Sequence, residues 1–387
     1  MNKKVYLLAI VSFVVGTVEL IIGGLLDLVA EDLGVSLGQA GLLITIFSVV
    51  FAIASPILLT VTAKYERKKL TLTTLLIFFV GNLLAFWSPT YSVIMAARIM
   101  TAASGSLLVV LAVTIASQIV KADYRGRAIG TIFMGISGSL VLGVPIGLTI
   151  GNAFGWRAPF LFIAVLTLAS MVAVHLSLGN IQPKPIIPIK KQIQTLKDQK
   201  IFSAQLTSFI FLTGHLTLYA YLTPFLKSEM GLSATWVSIV YFIFGVAAVL
   251  GGGIGGTLSD RFGSERSIIG IIIAFAVAIF LIPHVTFSLP IFLAVMIIWS
   301  ALSWAITPAQ QNYLISSAPE TSDIQQSLNN SALHFGIAAG SSIGGIVIEQ
   351  TSVINNATVG GFFILLALAT AAYSITRGKE KLVAQQS

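Results

Sequence analysis

Cysteine is absent from this 387-residue chain, and charge is scarce: Asp, Glu, Lys and Arg make up only 9% of it, against about 25% in an ordinary soluble domain. The first absence removes disulfides, thiolate nucleophiles and thiolate metal sites. Acids are scarcer than bases, 14 against 22, and there are four histidines. No group of them has metal-ligand spacing, and no nucleophile elbow or phosphate loop is present. No cofactor is expected, and an enzyme or a passive channel embedded in the membrane is an outlying reading. Polar sequence is rare as well, its longest run being Gly179 to Lys200. What fills the chain instead is apolar sequence, 56% of all residues.

That apolar sequence falls into twelve runs, at 5–28, 39–62, 70–88, 91–118, 128–153, 156–178, 201–226, 234–258, 267–286, 289–315, 326–350 and 356–376. About 20 apolar residues cross a bilayer as a helix, whereas a barrel strand needs about half that number. The expected fold is therefore an all-α bundle of twelve transmembrane helices, since lipid offers the backbone no partners. The first run is too long for a signal peptide and lacks a small-residue cleavage site, so it reads as a retained span. Of the 22 basic residues, all but Arg98, Arg157 and Lys227 fall in the termini, the even-numbered loops and the central linker. Cytoplasmic loops accumulate Lys and Arg, which puts both termini inside. The net charge of +8 is then a topology signal, and nucleic acid is not an expected partner.

The polar stretch 179–200, with Pro183, Pro185 and Pro188, separates six spans from six. It delimits an N-terminal bundle at 1–178 and a C-terminal bundle with its tail at 201–387, the arrangement of an internal duplication. Between the eighth and ninth spans stands Gly256-Thr-Leu-Ser-Asp260-Arg261-Phe-Gly263-Ser-Glu-Arg266. This resembles the signature loop of the major facilitator superfamily, Gly-x-Leu-x-Asp-Arg-x-Gly-x-x-Arg, at every fixed position. The resemblance implies a cytoplasmic latch built on Asp260, Arg261 and Arg266, with Gly263 allowing a tight turn. In the first-half copy Leu59, Ala63 and Glu66 stand where glycine, aspartate and glycine are expected, so an acid-mediated latch is not expected there.

Gly138-Ser-Leu-Val-Leu-Gly143-Val-Pro145-Ile-Gly147 in the fifth span resembles the glycine–proline motif of the exporter branch of that superfamily. Proline kinks a helix and spaced glycines let a neighbour approach. Gly155-Trp156-Arg157 follows, as in drug and metabolite efflux families. Gly16-Thr-Val-Glu19, the 214–219 segment and Pro308-Ala-Gln310-Gln311 are most similar to bacterial purine base and nucleoside efflux pumps. The resemblance implies a monomeric, proton-coupled antiporter in the bacterial inner membrane that takes a small-molecule substrate, and it places the first, fourth, seventh and tenth helices around a central cavity.

Charges inside spans are costly and face a cavity or a partner. Glu19 lies deep in the first span, roughly 14 Å from its outer end, and Arg98 lies roughly 10 Å from that surface in the fourth. Their matched depths make Glu19 the expected proton carrier and Arg98 the charge that tunes it; a fixed ion pair joining two helices is the alternative. Asp27, Glu31 and Asp32 read as solvated acids at the outer end of the span. His215 is a second candidate for proton coupling and shares a helix face with Tyr219, four residues on. The tenth span holds Trp299, Trp304, Gln310 and Gln311, and the eleventh Asn329, Asn330 and His334. Amides offer paired donors and acceptors to a purine edge, and aromatic faces stack on bases. The same amides would equally join helices, and Trp299 would equally anchor at an interface. The sequence thus reads as an exporter of purine bases or nucleosides, with a broad multidrug or sugar exporter as the alternative.

Overall fold

In the computed structural model twelve helices are long and apolar enough to cross a membrane. The described residues are 3–121, 124–183 and 189–386, apart from the side chains of 126, 189–191, 323 and 378–386. No strand occurs among them. Lys184, Pro185 and Pro188 of the expected linker lie outside the described residues.

The first four spans are α1 (Lys3–Leu33), α2 (Leu37–Val61), α3 (Arg67–Phe86) and α4 (Tyr91–Gln118). The fifth is a composite of α5 (Arg125–Gly138), a π-helical turn (Ser139–Gly143) and α6 (Val144–Phe154). Pro145 sits in the first turn of α6 and lacks an N–H. The π turn just before it, closed by Val144 N–H on Ser139 O, lets the span continue past the proline. The sixth span is α7 (Ala158–Ser177).

A short α8 (Ile189–Gln194) and a 3₁₀ turn (Thr195–Lys197) lead into α9 (Gln199–Tyr219), where Asp198 caps the helix by accepting from Lys200 N–H at 2.8 Å. The linker is thus partly helical. The seventh run, expected to be continuous to 226, instead breaks at Ala220–Tyr221 and resumes as α10 (Leu222–Met230). Pro224 cannot donate to the carbonyl four residues back, at Ala220, which makes this the weak point of the helix. Next come α11 (Ala234–Phe262), α12 (Ser264–Leu281), α13 (Leu289–Ser317), α14 (Ser322–Gln350) and α15 (Asn355–Gln386). α13 passes through Pro308 unbroken.

The chain separates into two compact units, residues 1–186 with 232–245 and residues 187–231 with 246–387. In the first unit α1 is the most enclosed helix and packs on α2, α4, α5, α6 and α7. In the second, α9 is the most enclosed and packs on α13, α14 and α15. Each central helix meets its neighbour along a seam of small residues. On the first unit, Gly135, Ser139, Gly143, Gly147 and Gly151 recur every four residues and face Ala9, Gly16, Thr17, Ile21 and Leu25 of α1. On the second, Gly336, Gly340 and Gly344 of α14 face the main chain of Phe209, Thr213 and Thr217 of α9. With no hydrophobic drive between helices in lipid, such close backbone approach supplies the dispersion contact that holds them.

Candidate functional site

In the first unit the structure brings Arg98 to the turn of α1 that carries Glu19. The guanidinium is 1% exposed and donates to the carbonyls of Val18 at 2.6 Å, Glu19 at 3.5 Å and Leu43 of α2 at 3.3 Å. It also lies 4.0 Å from the centre of the Phe47 ring. Isolated in an apolar core a cation is very costly. Carbonyl lone pairs and an aromatic face, the latter worth about 2 kcal/mol when desolvated, offset that cost. Glu19 interacts with this cation electrostatically, while its own side chain is only half-buried. The expected pairing of depths holds. Arg98 is anchored by the main chain of α1 and α2.

Around this pair, Gly143 and Gly147 of the glycine–proline segment lie in the seam against Thr17 and Ile21, where a side chain would strike those residues. Gly138 lies outside it: a methyl group there would meet Phe13 at an ordinary 3.6 Å. Gly135 and Gly151 complete the seam and belong to no motif read from the sequence. The three acids expected to be solvated at the end of the first span are all within α1, which continues to Leu33. Asp27 is half-buried. Asp32 accepts from Arg157 Nη1 at 2.7 Å and Trp156 Nε1 at 3.1 Å, and Arg157 Nε donates to Ser88 O at 2.9 Å. The Trp156–Arg157 pair therefore clasps the end of α1 to the α3–α4 turn.

The degenerate first-half loop is not idle. Glu66 caps α3, accepting from Lys68 and Lys69 N–H at 2.8 Å each, and also from Ile181 N–H at 2.9 Å. Arg67 N–H donates to Ile181 O at 2.9 Å. Burial raises the Glu66 carboxyl, but those three N–H donors and the Lys69 charge outweigh it and hold the group below the usual carboxylate range. The acid at this loop thus pins the chain leaving α7. In the second-half loop Gly263 has φ +82° and joins α11 to α12 in one residue, as its position in the signature requires. Asp260, Arg261 and Arg266 are exposed. Asp260 lies in the last turn of α11 and makes no ion pair to another described residue.

In the second unit, His215, Tyr219 and Trp299 form one aromatic core with Phe275. His215 stacks on Tyr219 at 5.3 Å and meets the edges of Trp299 at 5.1 Å and Phe275 at 5.6 Å. Trp299 is 0% exposed, which excludes the interfacial-anchor reading. His334 is buried as well.

The amides divide into two sets. Gln310 Nε2 donates to Ala204 O at 2.6 Å. Asn329 Nδ2 donates to Ser208 Oγ at 2.6 Å and Gln205 Oε1 at 3.1 Å, and Gln205 Nε2 reaches Gln325 O at 3.0 Å. These bonds lock α13 and α14 onto α9. They enclose a cavity of about 10 Å³ with Thr207, Ser208 and Thr307, space for roughly one water and none for a base. Gln205 and Gln325 were not singled out in the sequence, although a glutamine in a membrane span is itself a signal. Gln311 and Asn330 differ: both are half-buried, and neither amide has a hydrogen bond to another described residue. Trp304 is half-buried too. Among the described residues no group of His and acids is placed to hold a metal ion.

A family model described as the Major Facilitator Superfamily matches residues 8–341. The chain belongs to that superfamily. Within the superfamily it is similar to the uncharacterized MFS-type transporter YbcL of Bacillus subtilis (strain 168), 38% identical over 365 residues, 94% of each chain. It is also similar to the inner membrane transport protein YdhP of Escherichia coli (strain K12), 29% identical over 96% of each chain. Among solved structures, a bacterial homolog of the human lysosomal transporter Spinster, inward-facing and occupied, matches with a TM-score of 0.82 at 15% identity, over 97% of this chain and 96% of that one. The xylose transporter XylE from E. coli matches at 0.72 and 13%, over 94% and 95%. These two establish the major facilitator fold. The chain is accordingly a secondary transporter of small molecules, and its relatives are transporters, not enzymes.

Proposed function

We propose that this transporter works by alternating access in the bacterial inner membrane, exporting purine bases or nucleosides in exchange for protons. The observation that carries the coupling half is the Glu19–Arg98 arrangement: a carboxylate on α1 beside a buried cation that is held independently by carbonyls. Such a carboxylate can bind and release a proton while Arg98 stays in place, because Arg98 does not depend on it for its hydrogen bonds. A nearby cation favours the charged carboxylate and desolvation the neutral one, so a change in access to Glu19 changes its proton affinity. Basic loops and linker support cytoplasmic termini.

For the substrate, the unbonded amides of Gln311 and Asn330 with the half-buried Trp304 support a neutral, planar ligand that offers a hydrogen-bonding edge. Competition binding on the purified protein tests it, using adenine, guanine and analogues that each lack one edge donor or acceptor. A hydrogen-bonding site rejects the analogues sharply, because a buried group left unpaired costs about 1–3 kcal/mol. Ranking by lipophilicity would instead favour a multidrug exporter, and preferential displacement by a sugar would point to sugar export.

A further inference from the structure

The amide bonds that lock α13 and α14 onto α9 use only half of each amide. Gln310 commits its NH2 group to Ala204 O, and Asn329 commits its own to Ser208 Oγ and Gln205 Oε1. Their carbonyl oxygens, Gln310 Oε1 and Asn329 Oδ1, accept from no described residue. The two side chains are 4% and 3% exposed, and a buried acceptor without a donor forfeits the hydrogen bonds it had in water. Both border the small cavity of about 10 Å³ that residues of the three helices enclose.

Two hydroxyls border the same cavity with a proton to give. Ser208 Oγ accepts from Asn329, but its own O–H, like that of Thr307, donates to no described residue. Thr207 differs, because its hydroxyl donates to Ser203 O at 2.8 Å and shares a bond of 2.9 Å with Thr370 Oγ1. The remaining wall is apolar, formed by Phe211, Leu212, Ile306 and Leu333. The cavity thus offers two open acceptors, on α13 and α14, and two open donors, on α9 and α13. Among the described residues no acid or base lines it, so an ion would enter without a counter-charge, at high cost. The volume admits one molecule the size of water and nothing larger.

A neutral molecule of that size that donates twice and accepts twice is water. We propose that the cavity is a binding site for one ordered water, which donates to Gln310 Oε1 and Asn329 Oδ1 and accepts from the hydroxyls of Ser208 and Thr307. Four partners are the upper end of what a buried water takes. The direct amide bonds tie α13 to α9 and α14 to α9; the water adds a tie between α13 and α14. A polar network completed in this way rigidifies the helices it joins. The site belongs to the second unit alone and depends neither on the substrate nor on proton coupling.

An experimental structure of the full-length protein, at a resolution that shows single waters, tests this together with melting temperatures in sodium chloride and in choline chloride. One density peak is expected within about 3.2 Å of both Gln310 Oε1 and Asn329 Oδ1, with equal melting temperatures in the two salts. Thr307→Val keeps the shape of the side chain and removes one donor. It should lower the melting temperature and weaken or abolish the peak, and Ser208→Ala should do the same from α9. Absence of the peak in the parent protein, with the two amides bonded to protein groups instead, would overturn the proposal. A melting temperature raised specifically by sodium would overturn it in favour of a cation. An unchanged peak and unchanged stability in both variants would overturn it as well.

Discussion

Neighbouring residues on α13 do opposite things. Gln310 is buried at 4% and donates to Ala204 O, while Gln311 is half-buried and its amide bonds to no other described residue. Gln310→Ala should therefore lower stability by about 1 kcal/mol and leave substrate affinity nearly intact. Gln311→Ala and Asn330→Ala should weaken purine binding roughly tenfold with little change in melting temperature. Thermal unfolding and binding measured on the same preparations separate the two. Such a division was not legible in the sequence: two adjacent residues differ by about 100° around a helix, and which faces inward is decided by how α13 lies on α9. Glu66 makes a pH-dependent case. Its folded-state carboxyl titrates below the ordinary value of 4.5, so its stabilisation is full above that value and is lost as pH falls through the lower folded-state value. Glu66→Ala should cost about 1 kcal/mol near neutral pH, and the difference from the parent protein should shrink as the medium is acidified below 4.5.

The helices themselves were largely readable, because a run of twenty apolar residues has few alternatives. Two departures have local causes: Pro224 interrupts the seventh run, and α1 extends beyond its apolar run because Asp32 is held by Trp156 and Arg157. The packing seams were only partly readable. Gly143 and Gly147 were found through their motif, but Gly135 and Gly151 are recognised only with α1 in place. A side chain at Gly135 would strike the main chain of Ala9, which cannot swing aside, whereas at Gly138 it would make an ordinary contact. Gly135→Ala should accordingly destabilise the protein by about 1–3 kcal/mol and Gly138→Ala by much less, as read from melting temperatures in one detergent. In the second unit Gly340→Ala, against Thr213 O, should behave like Gly135→Ala. The fifth span lies on the first as the eleventh lies on the seventh, so the internal repeat shows in the packing even though the loops obscure it in sequence.

For the whole molecule, the absence of cysteine turns topology into a clean experiment, since any thiol introduced is unique. Cysteines at Ser177 and Ser387 should resist an impermeant reagent in intact cells and react after lysis; ready labelling from outside would reverse the proposed orientation. The proposed transport mechanism rests on Glu19 exchanging a proton while Arg98 keeps its carbonyl partners. The most direct measurement is purine uptake into proteoliposomes under an imposed pH gradient, with substrate counterflow measured on the same vesicles, for the parent protein and Glu19→Gln. Glutamine preserves shape but cannot carry a proton. The account predicts that Glu19→Gln retains counterflow and loses accumulation driven by the gradient. Undiminished gradient-driven accumulation by Glu19→Gln would contradict it.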